Sequence, residues 1–88
     1  MMERTLTIGN KLGLHARPAA LFVQEAAKFQ CRISVVKDGL EVNGKSVMGL
    51  LLLAAESGSQ LTVRADGPDE AEALAALSRI FDRKFDED

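Results

Sequence analysis

Neither tryptophan nor tyrosine occurs among the 88 residues, and four phenylalanines are the only aromatic rings. Nucleic-acid binders stack bases on such rings and draw the phosphate backbone into a basic field. Here 13 acidic side chains outnumber 11 basic ones, for a formal charge of −2, so no nucleic-acid partner is expected. The lone cysteine, Cys31, can close no internal disulfide and found no cysteine-based metal site. It reads as a small residue in or beside a strand and suits a reducing compartment. With a single histidine as well, the three or four nitrogen and sulfur ligands of a zinc-type centre are missing. No metal or other cofactor is expected. No segment reaches the ~18–20 apolar residues of a membrane span, and Met1-Met2-Glu3-Arg4-Thr5 lacks the apolar stretch of a signal peptide. The expectation is a soluble cytoplasmic protein with no membrane insertion. A chain this short buries only about 60% of its unfolded surface. Residues 1–88 are therefore read as one domain with one modest core.

What is present is a regular switching of hydrophobic period. Thr5-Leu6-Thr7-Ile8 alternates and Gly9-Asn10 stops it, which predicts a first strand. From Ala16 to Phe29, Ala19, Phe22, Val23, Ala26 and Phe29 recur at helical spacing, with Arg17, Ala20, Gln24 and Lys28 opposite. Cys31 to Lys37 returns to alternation, and Asp38-Gly39 supplies the two positive-φ positions of a tight hairpin into Leu40-Glu41-Val42. Ser46 is a good N-cap for a short helix from Val47 to about Ala55, closed by Glu56-Ser57-Gly58-Ser59. Leu61, Val63 and Ala65 define a fourth strand. Asp66-Gly67-Pro68-Asp69-Glu70 then opens a last helix carrying Leu74, Leu77, Ile80 and Phe81. The order is β-α-β-β-α-β-α. Alternating strands have one covered face, so the fold class is α+β: an open-faced two-layer β-sandwich, with three helices on one face of a four-stranded, mainly antiparallel sheet. The charged stretch Asp82 to Asp88 is expected to be a solvated helix end and frayed tail.

The one histidine stands where the first strand gives way to the first helix, in Gly13-Leu14-His15-Ala16-Arg17-Pro18. A helix start exposes unpaired N–H groups and the positive end of the macrodipole, so it attracts an anion. The N–H groups of Ala16 and Arg17 can face a group attached to the imidazole, and Pro18 gives up a donor that needs no partner. Arg17 can fork onto phosphate oxygens. An anion gains ~0.3–2 kcal/mol from the helix end and ~1.5–3 from a charged hydrogen bond, enough to hold a phosphoryl group without trapping it. On spacing alone, an ordinary surface histidine stands at least level with this reading.

Two further segments bear on function. Gly39-Leu40-Glu41-Val42-Asn43-Gly44-Lys45-Ser46 has the spacing of a nucleotide-binding P-loop. Leu40-Glu41-Val42 reads as a strand, however, Glu41 is anionic, and no parallel sheet accompanies the motif, so a hairpin and helix cap are expected instead. Val47-Met48-Gly49-Leu50-Leu51-Leu52-Leu53 is apolar nearly all round, more than one buried stripe requires. Some of Val47, Met48, Leu51 and Leu52 should stay exposed as a partner surface or a dimer interface, and methionine suits a patch that meets several partners.

Gly13-Leu14-His15-Ala16-Arg17-Pro18-Ala19 together with Lys45-Ser46-Val47-Met48-Gly49 resembles the HPr family, the histidine-containing phosphocarriers of the bacterial phosphoenolpyruvate phosphotransferase system. The resemblance runs through essentially the whole chain. It implies a strand order of 1-4-2-3 and a carrier that is not an enzyme. His15 would accept a phosphoryl group on Nδ1 from phosphorylated enzyme I and pass it to a histidine of an enzyme IIA-type protein, with Arg17 steadying the phosphate. A docking face near Ala20, Gln24, Val47, Met48 and Leu51 is implied, on a protein expected to be a monomer. Ser46 matches a position that a dedicated serine kinase/phosphorylase modifies in many bacteria, which implies regulatory phosphorylation there. Asn10-Lys11-Leu12-Gly13, Gly67 to Leu74 and Phe85-Asp86-Glu87-Asp88 resemble the nitrogen-related branch, whereas Lys45 to Gly49 resembles carriers that meet the kinase. The branch stays open. The alternatives are a regulatory interaction module of the nitrogen-related or carbon-control branch that feeds no sugar uptake and, on spacing alone, a nucleotide-binding fragment.

Overall fold

The computed structural model describes residues 1–87. Four strands form one sheet: β1 (Met2–Thr7), β2 (Arg32–Lys37), β3 (Leu40–Asn43) and β4 (Gln60–Asp66). Their order is β1-β4-β2-β3, every pairing antiparallel. Three helices, α1 (Ala16–Ala26), α2 (Val47–Leu52) and α3 (Glu70–Asp82), cover one face. The registers Met2↔Ala65 and Val35↔Val63 line up the inward residues of the three longer strands. Ile33, Val35, Leu61, Val63 and Ala65 thus meet Phe22, Leu50, Leu74, Leu77 and Ile80 in one buried cluster. Each large side chain there contributes about 1.5–3 kcal/mol by leaving water. The other face is polar: Arg64 Nε donates to Glu3 at 3.0 Å and Thr5 lies 3.4 Å from Thr62.

Element ends differ from the pattern-based expectation for local reasons. β1 begins at Met2 because β4 offers backbone partners that far; its outer residues are exposed and carry no alternation. α1 stops at Ala26, since Lys28 and Phe29 donate to Glu25 and Ala26, three residues back, and tighten the chain out of the helix. α2 stops at Leu52 rather than near Ala55. Leu53 and Ala54 again donate three residues back, and Ala54 takes φ 48°. Asp38 (φ 50°) and Gly39 (φ 84°) make the expected hairpin turn. Ser46 caps α2, its Oγ accepting Gly49 N–H at 3.0 Å.

The tail corrects a larger expectation. Residues 82–87 do not fray; Asp88 lies outside the described residues. After α3, Lys84, Phe85 and Asp86 take φ of 54°, 55° and 58°, a left-handed turn closed by Asp86 N–H to Arg83 O and Glu87 N–H to Lys84 O, both 3.0 Å. Left-handed backbone costs about 1–2 kcal/mol per residue, so roughly 3–6 for the three. Phe85 offsets this. Its ring is buried, 4.8 Å from that of Phe81, contributing about 1.5–3 kcal/mol of burial and ~0.5–1.5 of ring contact. The two turn hydrogen bonds add about 1 each. Charge in a tail suggests solvent, but one phenylalanine is enough to draw it onto the core.

Candidate functional site

Three segments converge on His15. The loop after β1 arrives first. Asn10, fully buried, donates from Nδ2 to Gly13 O at 2.8 Å, and Leu14 N–H donates to Ala55 O, in the loop after α2, at 2.9 Å. This pins the chain immediately before the histidine. Gly13 can take the turn because it lacks a side chain: its φ is 74°, and a Cβ there would sit 2.4 Å from Ala55 O.

His15 is the N-cap residue of α1, with extended backbone (φ −86°, ψ −169°), and its carbonyl accepts the first helical bond from Ala19 N–H at 3.0 Å. Its side chain makes no capping bond. The N–H groups of Ala16 and Arg17 therefore remain open among the described residues, and Pro18 occupies the third position, whose donor would have been unpaired anyway. Arg17 is exposed and has no hydrogen-bond or ion-pair partner among the described residues. It lines an open hollow of about 620 Å³ with Leu12, Ala20, Leu21, Gln24, Phe85, Asp86 and Glu87.

The tail completes the site. Glu87 Oε1 accepts from Asn10 Nδ2 at 3.0 Å and lies 3.2 Å from His15 Nε2. A carboxylate can only accept, so Nε2 carries the proton, and in the neutral form of the ring the lone pair lies at Nδ1. Nδ1 has no partner among the described residues. The imidazole is 37% exposed. Local pattern marks neither Asn10 nor Glu87 as a site residue: one reads as a strand stop and the other as part of a frayed end. The isolated Phe85 in a charged tail was the available signal that this segment returns to the core.

The remaining sequence-derived residues fall into two groups. Ala20 and Gln24 share the hollow beside Arg17, and Leu51 lines a second hollow with His15, Lys11 and Glu56. Met48 (72% exposed), Leu52 (69%) and Leu51 (36%) open onto solvent, whereas Val47 is half-buried and packs against the core. The P-loop-like spacing has no P-loop geometry: Leu40–Asn43 is strand, Lys45 Nζ donates to Phe29 O at 2.6 Å, and Ser46 is engaged with Gly49. No group of three or more His, Cys, Asp or Glu side chains among the described residues could hold a metal ion. None of the helices in them is long and apolar enough to cross a membrane.

An open-faced sandwich that presents an unpaired imidazole nitrogen at a bare helix start, with a free guanidinium nearby, is the frame of a small histidine-based phosphoryl carrier. Comparison with known proteins agrees. The family profile described as PTS HPr component phosphorylation site matches residues 2–83. Phosphocarrier protein HPr of Treponema pallidum is 47% identical over 88 residues, all of both chains. HPr-like protein Crh of Halalkalibacterium halodurans is 49% identical over 84 residues, 96% of this chain and all of that one. A crystal structure of HPr from Thermoanaerobacter tengcongensis superposes with a TM-score of 0.96 at 50% identity, covering 100% of this chain and 99% of that one. Another from the same organism, described as an HPr dimer, gives 0.78, covering 97% and 98%. The chain belongs to the HPr family, the phosphocarriers of the phosphotransferase system; it is a carrier and not an enzyme.

Proposed function

We propose that His15 accepts a phosphoryl group on Nδ1 from phosphorylated enzyme I and hands it to a histidine of an enzyme IIA-type protein. The observation that carries this reading is the division of the ring: Nε2 is engaged by Glu87 while Nδ1 stands open at the start of α1. The N–H groups of Ala16 and Arg17 and the guanidinium of Arg17 then stabilise the phosphate without trapping it. Partners dock over α1 and α2, through Ala20, Gln24, Met48 and Leu51, with Val47 supporting the patch from beneath. Ser46 is a regulatory phosphorylation site for a serine kinase/phosphorylase; about −2 of added charge beside this apolar face would slow docking. The carrier works as a cytoplasmic monomer.

Incubation with phosphoenolpyruvate and enzyme I should place an acid-labile phosphate on this protein, abolished by His15→Ala; an acid-stable product would refute the reading. Crh of Bacillus subtilis, described as a catabolite repression HPr and 46% identical to this chain, supports a second, regulatory role, in which the protein binds partners without relaying phosphate. Partner capture that survives His15→Ala would favour it. Rates of onward transfer to enzyme IIA proteins of the sugar and nitrogen branches decide which branch is served.

A further inference from the structure

The contact between the tail and the histidine ring goes beyond holding a tautomer. Glu87 Oε1 is 3.2 Å from Nε2 and is held by the fully buried Asn10. The buried Phe85 and the left-handed turn before it fix the approach. Its carboxyl side chain is only 18% exposed. Resting on the phosphocarrier reading, we propose that Glu87 is a positioning residue which keeps the Nε2 proton in place throughout the transfer cycle, so that phosphoryl entry and departure require no proton movement.

The chemistry balances without another reactant. The Nδ1 lone pair forms the new N–P bond as the bond between phosphorus and the donor atom breaks and its electron pair returns to the donor. Because Nε2 keeps its hydrogen, the product is a phosphoimidazolium, whose positive charge faces the Glu87 carboxylate. On departure the Nδ1–P electron pair returns to Nδ1 and regenerates the neutral ring, still protonated at Nε2. A phosphorylated ring that lost this proton would have to expel an imidazolate, a far poorer leaving group. The contact thus acts on the reactivity of the phosphorylated state.

Other charges surround the ring at greater remove. Lys11 and Glu56 line the hollow that His15 shares with Leu51, and Arg17 and Asp86 line the neighbouring hollow with Glu87. Among the described residues, only Glu87 reaches a ring nitrogen within hydrogen-bond distance.

The test loads the intact protein chemically with phosphoramidate, so that it does not depend on enzyme I, and compares the unaltered protein with Glu87→Gln and Glu87→Ala. Phosphorus and nitrogen NMR follow the phosphorylated ring as pH rises. Gln keeps an acceptor for the Nε2 proton but removes the charge; Ala removes both. Loss of the phosphoryl group should begin to slow about half a unit to one unit lower in pH in Glu87→Gln, an opposite-charge effect moderated by solvent. In the unphosphorylated protein the Nε2 proton should exchange slowly, and about tenfold faster in Glu87→Ala. Superimposable pH profiles for the unaltered protein and Glu87→Gln would overturn the proposal, as would phosphate on Nε2. Loading at Nδ1 with the expected profiles, but no transfer from enzyme I, would instead refute the carrier reading and leave the Glu87 chemistry standing.

Discussion

Gly13→Ala tests whether the histidine depends on the turn that delivers it. Two costs arise. A side chain at φ 74° carries about 1–2 kcal/mol of left-handed strain. The new Cβ would also lie 2.4 Å from Ala55 O, a backbone atom, so that carbonyl must move. The same carbonyl accepts Leu14 N–H at 2.9 Å, and losing that bond costs about 0.5–1.5 kcal/mol net. The sum is about 1.5–3.5 kcal/mol, which for a chain of this size lowers Tm by roughly 6–28 °C. Gly39→Ala is the matched control. Its φ is 84°, but nothing lies within 4 Å of the place its new methyl group would occupy, so only the strain remains, about 1–2 kcal/mol as in Gly13→Ala. Urea unfolding of both variants gives the difference directly. Since Leu14 precedes His15, phosphorylation of folded Gly13→Ala by enzyme I should also slow, about tenfold, while Gly39→Ala keeps its rate. If the two variants agree within about 0.5 kcal/mol, the close approach to Ala55 does not hold the site together.

Three other outcomes are expected. Ser46→Ala removes the cap on α2 and should cost about 1 kcal/mol, measured by thermal unfolding. Ser46→Asp keeps an acceptor and should leave Tm nearly unchanged while slowing His15 phosphorylation. Met48→Glu alters a largely exposed side chain, so stability should move by less than about 0.5 kcal/mol. Its affinity for enzyme I, read by titration calorimetry, should fall about tenfold. Asp69 accepts the backbone N–H groups of Gln30 and Cys31 at 2.8 and 2.9 Å, bonds that hold its carboxyl below the ordinary carboxylate value, against an opposing effect of desolvation. A lowered value means its contribution is complete at neutral pH and is lost as pH falls through the unfolded value towards the folded one. Asp69→Asn should therefore lower Tm at neutral pH and flatten its decline below about pH 4.

The elements of the fold were legible because each wrote a local period. Leu61, Val63 and Ala65 alternate, Ala19, Phe22 and Ala26 recur helically, and Asp38-Gly39 and Ser46 carry turn and cap chemistry that depends on neighbouring residues only. His15 and Arg17 were legible for the same reason, being two residues apart on one helix start. The ends of α1 and α2 were less so. Whether Lys28 or Ala54 continues a helix depends on where the chain must go next, and in both places i to i−3 bonds redirect it.

Asn10 and Glu87 lie 77 residues apart, and no periodicity relates them. Only the assembled sheet and the packing of Phe85 on Phe81 bring the tail beside the histidine. By itself, therefore, the sequence determined the order of the elements, the inward face of each strand and the presence of a nucleophilic ring at a helix start, because these follow from contacts within a few residues. The tertiary structure decided which nitrogen of that ring is free, because a hydrogen bond to Nε2 needs a carboxylate carried there from the other end of the chain.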